Sequence, residues 1–161
     1  MPVSKRTQPE RSRRNHGSST ARIAAGLLTK SGNGFIVATL AQKKRINIAF
    51  ARKGLVVYGR AYDIVKLKAG SKVNLDDQDS IERGLDDLML YEIKSTRRRL
   101  DAEFNGYFFA LTTAELLVAQ NLKARYRFVF VNILTKRHKE LTLQQVLRRS
   151  RGFYPQWSIS F

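Results

Sequence analysis

The chain's pattern predicts a mixed α/β (α+β) fold in which a mixed central β-sheet is flanked by helices. Three observations carry that prediction. Residues 88–94, LMLYEIK, open with an unbroken apolar run, which suits a strand covered on both faces. Residues 126–134, YRFVFVNIL, are a second run rich in aromatic and β-branched residues. Between them, Thr112-Thr113-Ala114-Glu115 has the spacing of a capping box and leads into ELLVAQNL, an apolar helical segment. A strand, a helix and a strand in succession imply a sheet with a helix packed on it.

The remaining elements follow in chain order. Residues 1–20, MPVSKRTQPERSRRNHGSST, are basic and offer little to bury, so they are expected to form a flexible N-terminal arm. Such an arm can lie along phosphates or act only as a solubilising tail. From Ala21 the apolar content rises, and residues 21–161 are expected to form a single domain. SGNGFIVATLAQ, residues 31–42, reads as a helix start capped by Ser31 or Asn33, with Phe35, Ile36, Val37, Leu40 and Ala41 on one apolar face. After the basic KKR, INIAFA (46–51) alternates as a strand does, and Arg52-Lys53-Gly54 would turn the chain into a second strand, LVVY. Tyr62, Ile64 and Val65 suggest more strand around a single acid, Asp63. The polar, acidic residues 71–87 read as a loop or extended hairpin before the central strand, residues 88–96. Thr142 to Gln145 forms another capping box, opening a short helix that ends in RRSRG, and WSISF closes the chain as an edge strand.

Composition narrows the function classes. Thirty Lys and Arg against 13 Asp and Glu leave a charge of +17, which favours polyanionic partners, nucleic acid first. The absence of cysteine removes disulfides, thiol catalysis and cysteine zinc sites. His16 and His138 alone do not make a histidine metal centre. The glycines near residue 32 are not followed by Gly-Lys-Ser/Thr, so a P-loop is not indicated. No apolar run approaches the roughly 20 residues that span a bilayer, and no hydrophobic segment follows the basic N-terminus, so the expectation is a cytoplasmic protein without a membrane partner.

Against that background, Glu92 and Lys94 stand out at the end of the central strand. Side chains alternate along a strand, so both share a face, about 6.6 Å apart at Cα, while Ile93 points into the opposite layer. A carboxylate there can ligate a hard divalent cation, and the neighbouring ammonium can hold a water or a phosphoryl oxygen. A second acid has to reach the same point. Asp86 and Asp87 lie roughly 16 to 20 Å back along the same run. Asp63 ranks first, because its strand can return antiparallel beside residues 88–94, with Asp76, Asp77 and Asp79 as the alternatives if the hairpin turns late. The bland reading of Glu-x-Lys is a solvated pair on a strand face.

An acid in one strand, a variable insertion, and apolar residues leading into Glu-x-Lys, here AYDIV followed by LYEIKST, resembles the pattern of the PD-(D/E)XK nuclease superfamily. FFALTTAELLVAQNLKARYRFVFVNI is similar to the segment that follows the site in restriction-type members, and GNGFIVATLAQKK to the glycine-led helix that precedes the first acid. The resemblance covers most of residues 31–134. It implies a restriction-endonuclease-like core in which Asp63 and Glu92 bind magnesium, replaceable by manganese, and Lys94 assists the attacking water, leaving a 5′ phosphate. The Ile93 carbonyl is expected as a further ligand. Many relatives carry a glutamate on the first helix where this chain has Phe35.

The expected activity is therefore Mg2+-dependent, restriction-type endonuclease cleavage of duplex DNA by a homodimer. The alternatives are a structure-specific recombination or repair nuclease and a non-catalytic basic nucleic-acid-binding protein. Arg97, Arg98 and Arg99 are candidate backbone contacts or partners for the acidic loop, and Lys136, Arg137, Lys139, Arg148, Arg149 and Arg151 are further DNA-contact candidates. Glu115 is accounted for by its cap. Tyr154 and Trp157 are assigned to core or dimer packing ahead of base stacking.

Overall fold

The structure, a computed structural model, describes residues 10–154, with side chains from residue 19 onward. Five helices and five strands follow one another as α1 (Glu10–Lys30), β1 (Phe35–Ile36), α2 (Leu40–Arg52), β2 (Ile64–Leu67), α3 (Gln78–Arg83), β3 (Leu88–Thr96), α4 (Thr113–Leu122), β4 (Tyr126–Asn132), β5 (Arg137–Leu141) and α5 (Leu143–Arg149). The strands form one mixed sheet in the order β1-β2-β3-β4-β5. β3 is its middle strand, as its double-sided apolar pattern predicts. It pairs antiparallel with β2 and parallel with β4, with α4 as the crossover between the parallel pair.

Because successive side chains on β3 and β4 point to opposite faces, the sheet carries two apolar layers. Leu90, Phe128, Phe130 and Val65 join Phe50, Ile46, Ile81, Val118 and Val146 from the helices on one face. Tyr91, Ile93, Val129, Val131 and Ile64 meet Ala24 and Leu28 of α1 on the other. α1 thus begins within the segment expected as a flexible arm: it is helical from Glu10, and its second half closes the second layer instead of standing free.

The structure corrects three further assignments. The helix expected to open near residue 31 starts nine residues later, where Thr39 accepts from the Gln42 amide and Gln42 returns the bond. Gly32 and Gly34 instead adopt positive φ and turn the chain into β1; neither Ser31 nor Asn33 is the N-cap of α2, and Ser31 donates its amide and hydroxyl to the Leu28 carbonyl at the end of α1. INIAFA is helical, because its buried residues Ile46, Ala49 and Phe50 recur at three and four, the helical period that its short alternation imitates. LVVY pairs with no strand among the described residues; Leu55 and Val57 pack on the core, and the Val56 amide is satisfied by the Asn121 side chain.

Residues 71–87 are not a plain hairpin. Asp77 caps α3, Ile81 is fully buried, and a 3-10 turn at Leu85–Asp87 delivers the chain into β3. β5, with the sequence RHKEL, has no apolar alternation and was not foreseen. The capping boxes at Thr112–Glu115 and Thr142–Gln145 open α4 and α5 as expected. WSISF and Trp157 lie outside the described residues. Tyr154 is 77% exposed, so it is not a core residue; its ring lies beside that of Phe108, which is also exposed.

Candidate active site

Asp63 stands one residue before β2, where the antiparallel ladder with β3 ends. Its amide donates to the Tyr91 carbonyl at 2.9 Å, and its Oδ2 accepts from the Ile93 amide at 2.9 Å. The carboxylate therefore takes over where the next rung of the ladder would be. A strand residue's N–H and C=O point to the same side, so the Ile93 carbonyl faces that open edge as well. The acidic segment is the connection that lets Asp63 return beside residues 88–94, in the antiparallel register Ile64 to Tyr91. The alternatives lie elsewhere: Asp77 caps α3, Asp79 is exposed in the first turn of that helix, and Asp76 meets Gln42 and Arg45. Asp86 and Asp87, at the far end of β3, pair with Arg125 and Lys68.

Glu92 and Lys94 project from β3 toward α4, as the alternation requires. Lys94 Nζ donates to Glu92 Oε1 at 3.1 Å and to Glu115 Oε2 at 2.7 Å. Glu115 comes from the first turn of α4, fixed there by the Thr112 box. It does more than cap: one carboxylate serves both the helix start and the lysine. Glu92 and Glu115 are 9% and 5% exposed, so this trio is not the solvated face of the bland reading.

The electrostatics follow from that burial. Burial first, then the charges of Asp63 and Glu115, push the Glu92 carboxyl up to about 9, while Lys94 works in the opposite direction. A second ammonium lies close by. Lys43, in the first turn of α2, donates to the Tyr62 carbonyl at 2.9 Å, and its pKa is lowered by burial against the opposing pull of Asp63 and Glu92. Sequence reading missed it, because KKR resembled a stop between elements and not the start of a helix. Phe35, read as the position of a supporting acid, sits on β1 in the other layer, edge-on to Tyr91.

The oxygen donors on the three expected ligands are of the chemical kind a small hard cation takes. Asp63, Glu92 and the Ile93 carbonyl offer only oxygen, and magnesium commonly takes one or two carboxylates and retains several waters. Among the described residues no group of three or more His, Cys, Asp or Glu comes together as a metal cage.

The basic candidates divide. Arg97, Arg98 and Arg99 leave the end of β3 exposed, and instead of pairing with the acidic segment their guanidinium groups have no carboxylate partner among the described residues. Asn132 donates to the Arg98 carbonyl and the Ile133 amide to that of Thr96, placing the turn with Lys136 and Arg137 at the same end of the sheet. Lys139 and Arg149 are instead both occupied by Glu103. Arg148 and Arg151 are exposed. No described helix is long and apolar enough to cross a membrane. Compared with known proteins, the chain matches no family model, no curated protein and no solved structure.

Proposed function

We propose that this chain is a Mg2+-dependent DNA endonuclease that hydrolyses phosphodiester bonds, with Asp63, Glu92 and Lys94 as its catalytic residues. One observation carries the reading: at the end of a central strand, Asp63 is bonded to the Ile93 amide, and the flanking Glu92 has the Lys94 ammonium 3.1 Å from its carboxyl. The charge of +17 supplies the attraction for a polyanion.

Asp63, Glu92 and the Ile93 carbonyl would hold the cation, and the chemistry that magnesium supplies at such a site is polarisation of the scissile phosphate. Lys94 has three N–H donors, of which two go to Glu92 and Glu115; the third is left to orient a water for in-line attack. Glu115 keeps that ammonium on station. Arg97, Arg98 and Arg99, exposed beyond the strand end, would contact the DNA backbone. Restriction-type cleavage of both strands of a duplex calls for two such sites, hence a homodimer matched to a palindrome.

The second reading is a basic nucleic-acid-binding protein without catalysis. It is favoured by the satisfaction of Lys94 within the fold, which a purely structural ion network would also produce. Incubation with plasmid and with branched DNA, in magnesium or in chelator, separates the readings. Discrete plasmid fragments support the restriction-type activity, cutting of branches alone supports a recombination or repair nuclease, and binding without cutting supports the second reading. Alanine at Glu92 or Lys94 should abolish cutting and leave binding; persistent cutting would reject this site.

A further inference from the structure

We propose that Arg22 holds a phosphate of the strand being cut, in a cleft between α1 and the open end of the β2–β3 ladder. The inference rests on the nuclease reading of the site.

The cleft has a volume of about 590 Å³ and is lined by Ala21, Arg22, Ala25 and Gly26 of α1 together with Asp63 and Ile93. One of its walls is therefore the candidate active site itself. The other wall is firmly placed, because Ala24 and Leu28 of the same helix are buried against Tyr91 and Ile93 of β3. Arg22 and Gly26, four residues apart, lie one above the other on the flank of α1 that this packing leaves uncovered.

Arg22 is exposed, and its guanidinium makes no hydrogen bond or ion pair among the described residues. Asp63 lines the same cleft, yet the two do not pair. The Asp63 Oδ2 is taken by the Ile93 amide, and its Oδ1 accepts from no described group. Held apart, the guanidinium and the carboxylate leave space for a third group between them. A phosphate there can take two parallel N–H bonds from the guanidinium fork while another of its oxygens meets a cation on Asp63. Ala21, Ala25 and Ile93 offer an apolar wall to the carbon face of the adjoining sugar, with no side-chain donor to compete for the phosphate.

The test uses the full chain and whichever of the plasmid and branched DNA it cuts in magnesium, with rates measured over a series of DNA and salt concentrations and melting temperatures beside them. Arg22→Gln should raise KM about 10- to 100-fold with kcat little changed, the loss of one charge-assisted contact, and should lower the salt slope by about one phosphate. Arg22→Lys, which keeps the charge without the fork, should fall between. Gly26→Leu should slow cutting about tenfold or more by filling the cleft. A Cβ at Gly26 meets nothing within 4 Å and leucine is the better helix former, so this variant should melt no lower than wild type. If it nevertheless fails to fold, the two Arg22 variants decide alone, since that side chain holds nothing in place. Wild-type KM and salt slope in Arg22→Gln, a change in kcat only, or full activity in a folded Gly26→Leu would each overturn the inference and leave the nuclease reading intact. Absence of cutting by the wild-type chain in magnesium would remove both.

Discussion

Lys94 and Glu115 lie 21 residues apart in the chain, yet their charged groups are 2.7 Å apart beneath the surface. The parallel β3–β4 crossover produces this meeting: α4 must pass over the sheet, and its first turn arrives above the end of β3. Two substitutions separate the two duties of Glu115. Thr112→Ala removes one capping bond and should cost about 1 kcal/mol. Glu115→Gln keeps the cap but strips a buried ammonium of a charged partner, and should cost about 1–3 kcal/mol. Urea denaturation measures both, and equal stability of Glu115→Gln and wild type would show that the pair contributes nothing. By contrast Arg52→Ala, at the exposed Arg52–Glu82 pair, should stay within about 0.5 kcal/mol of wild type.

Glu92 makes the fold sensitive to alkali. Its carboxyl is raised from 4.5 to about 9, so between those values the folded chain holds a proton that the unfolded chain has released. Its contribution is fully present below pH 4.5 and is lost as pH rises toward 9, with a slope approaching about 1.4 kcal/mol per pH unit in mid-window. Glu92→Gln should flatten this fall and be more stable than wild type at pH 8. A difference between the two proteins that does not change from pH 5 to pH 8 would sink the prediction.

Asp63 joins a structural duty to an electrostatic one. Asp63→Asn retains an oxygen to accept from the Ile93 amide, whereas Asp63→Ala leaves that donor unmatched and should cost about 1–3 kcal/mol more. Both remove a negative charge from beside Glu92 and should bring its titration midpoint down, observable by carboxyl NMR. Unchanged titration in both variants would mean that the two carboxyls are electrostatically independent.

On the opposite face, Glu140 acts in the reverse sense. Burial alone would raise its pKa, but hydrogen bonds from Lys66 and Tyr91, with the charges of Lys66 and Arg127, hold it below 4.5. Its stabilisation is present above pH 4.5 and disappears as pH falls through the lowered value. Glu140→Gln should cost about 2 kcal/mol at pH 7 and narrow its deficit in acid. A deficit of constant size from pH 7 to pH 3 would contradict this.

Gly34 tests the edge of the sheet. It has φ of +78°, and a Cβ there would stand 2.6 Å from the Leu67 carbonyl oxygen, which is backbone and cannot swing away. Gly34→Ala should cost more than about 1 kcal/mol and loosen β1 from β2, seen as faster amide exchange at Leu67. Retained protection there would show that the strand can shift to make room.

The readable parts of the fold were those whose signals are local. β3, β4 and the boxes opening α4 and α5 each carry their pattern within a few residues, and Glu-x-Lys fixes its own shared face. INIAFA could not be read, because six residues fit period 2 nearly as well as 3.6, and the Thr39 cap that decides between them precedes the run by seven residues. Glu115 could be seen as a cap but not as the partner of Lys94, since the crossover that joins them leaves no trace in spacing. Lys43 was hidden because KKR resembles a stop between elements, while RHKEL became a strand only because β4 offered it an edge.

The two rims of the sheet differ from its middle. β1 contributes only two residues, and β5 ends the other side with Arg137, His138 and Lys139. Neither rim is a long, flat template on which a foreign strand could hydrogen-bond, and the lysine adds a charge that such docking would have to bury. Continuous ribbons built by edge pairing of copies of this chain are therefore disfavoured.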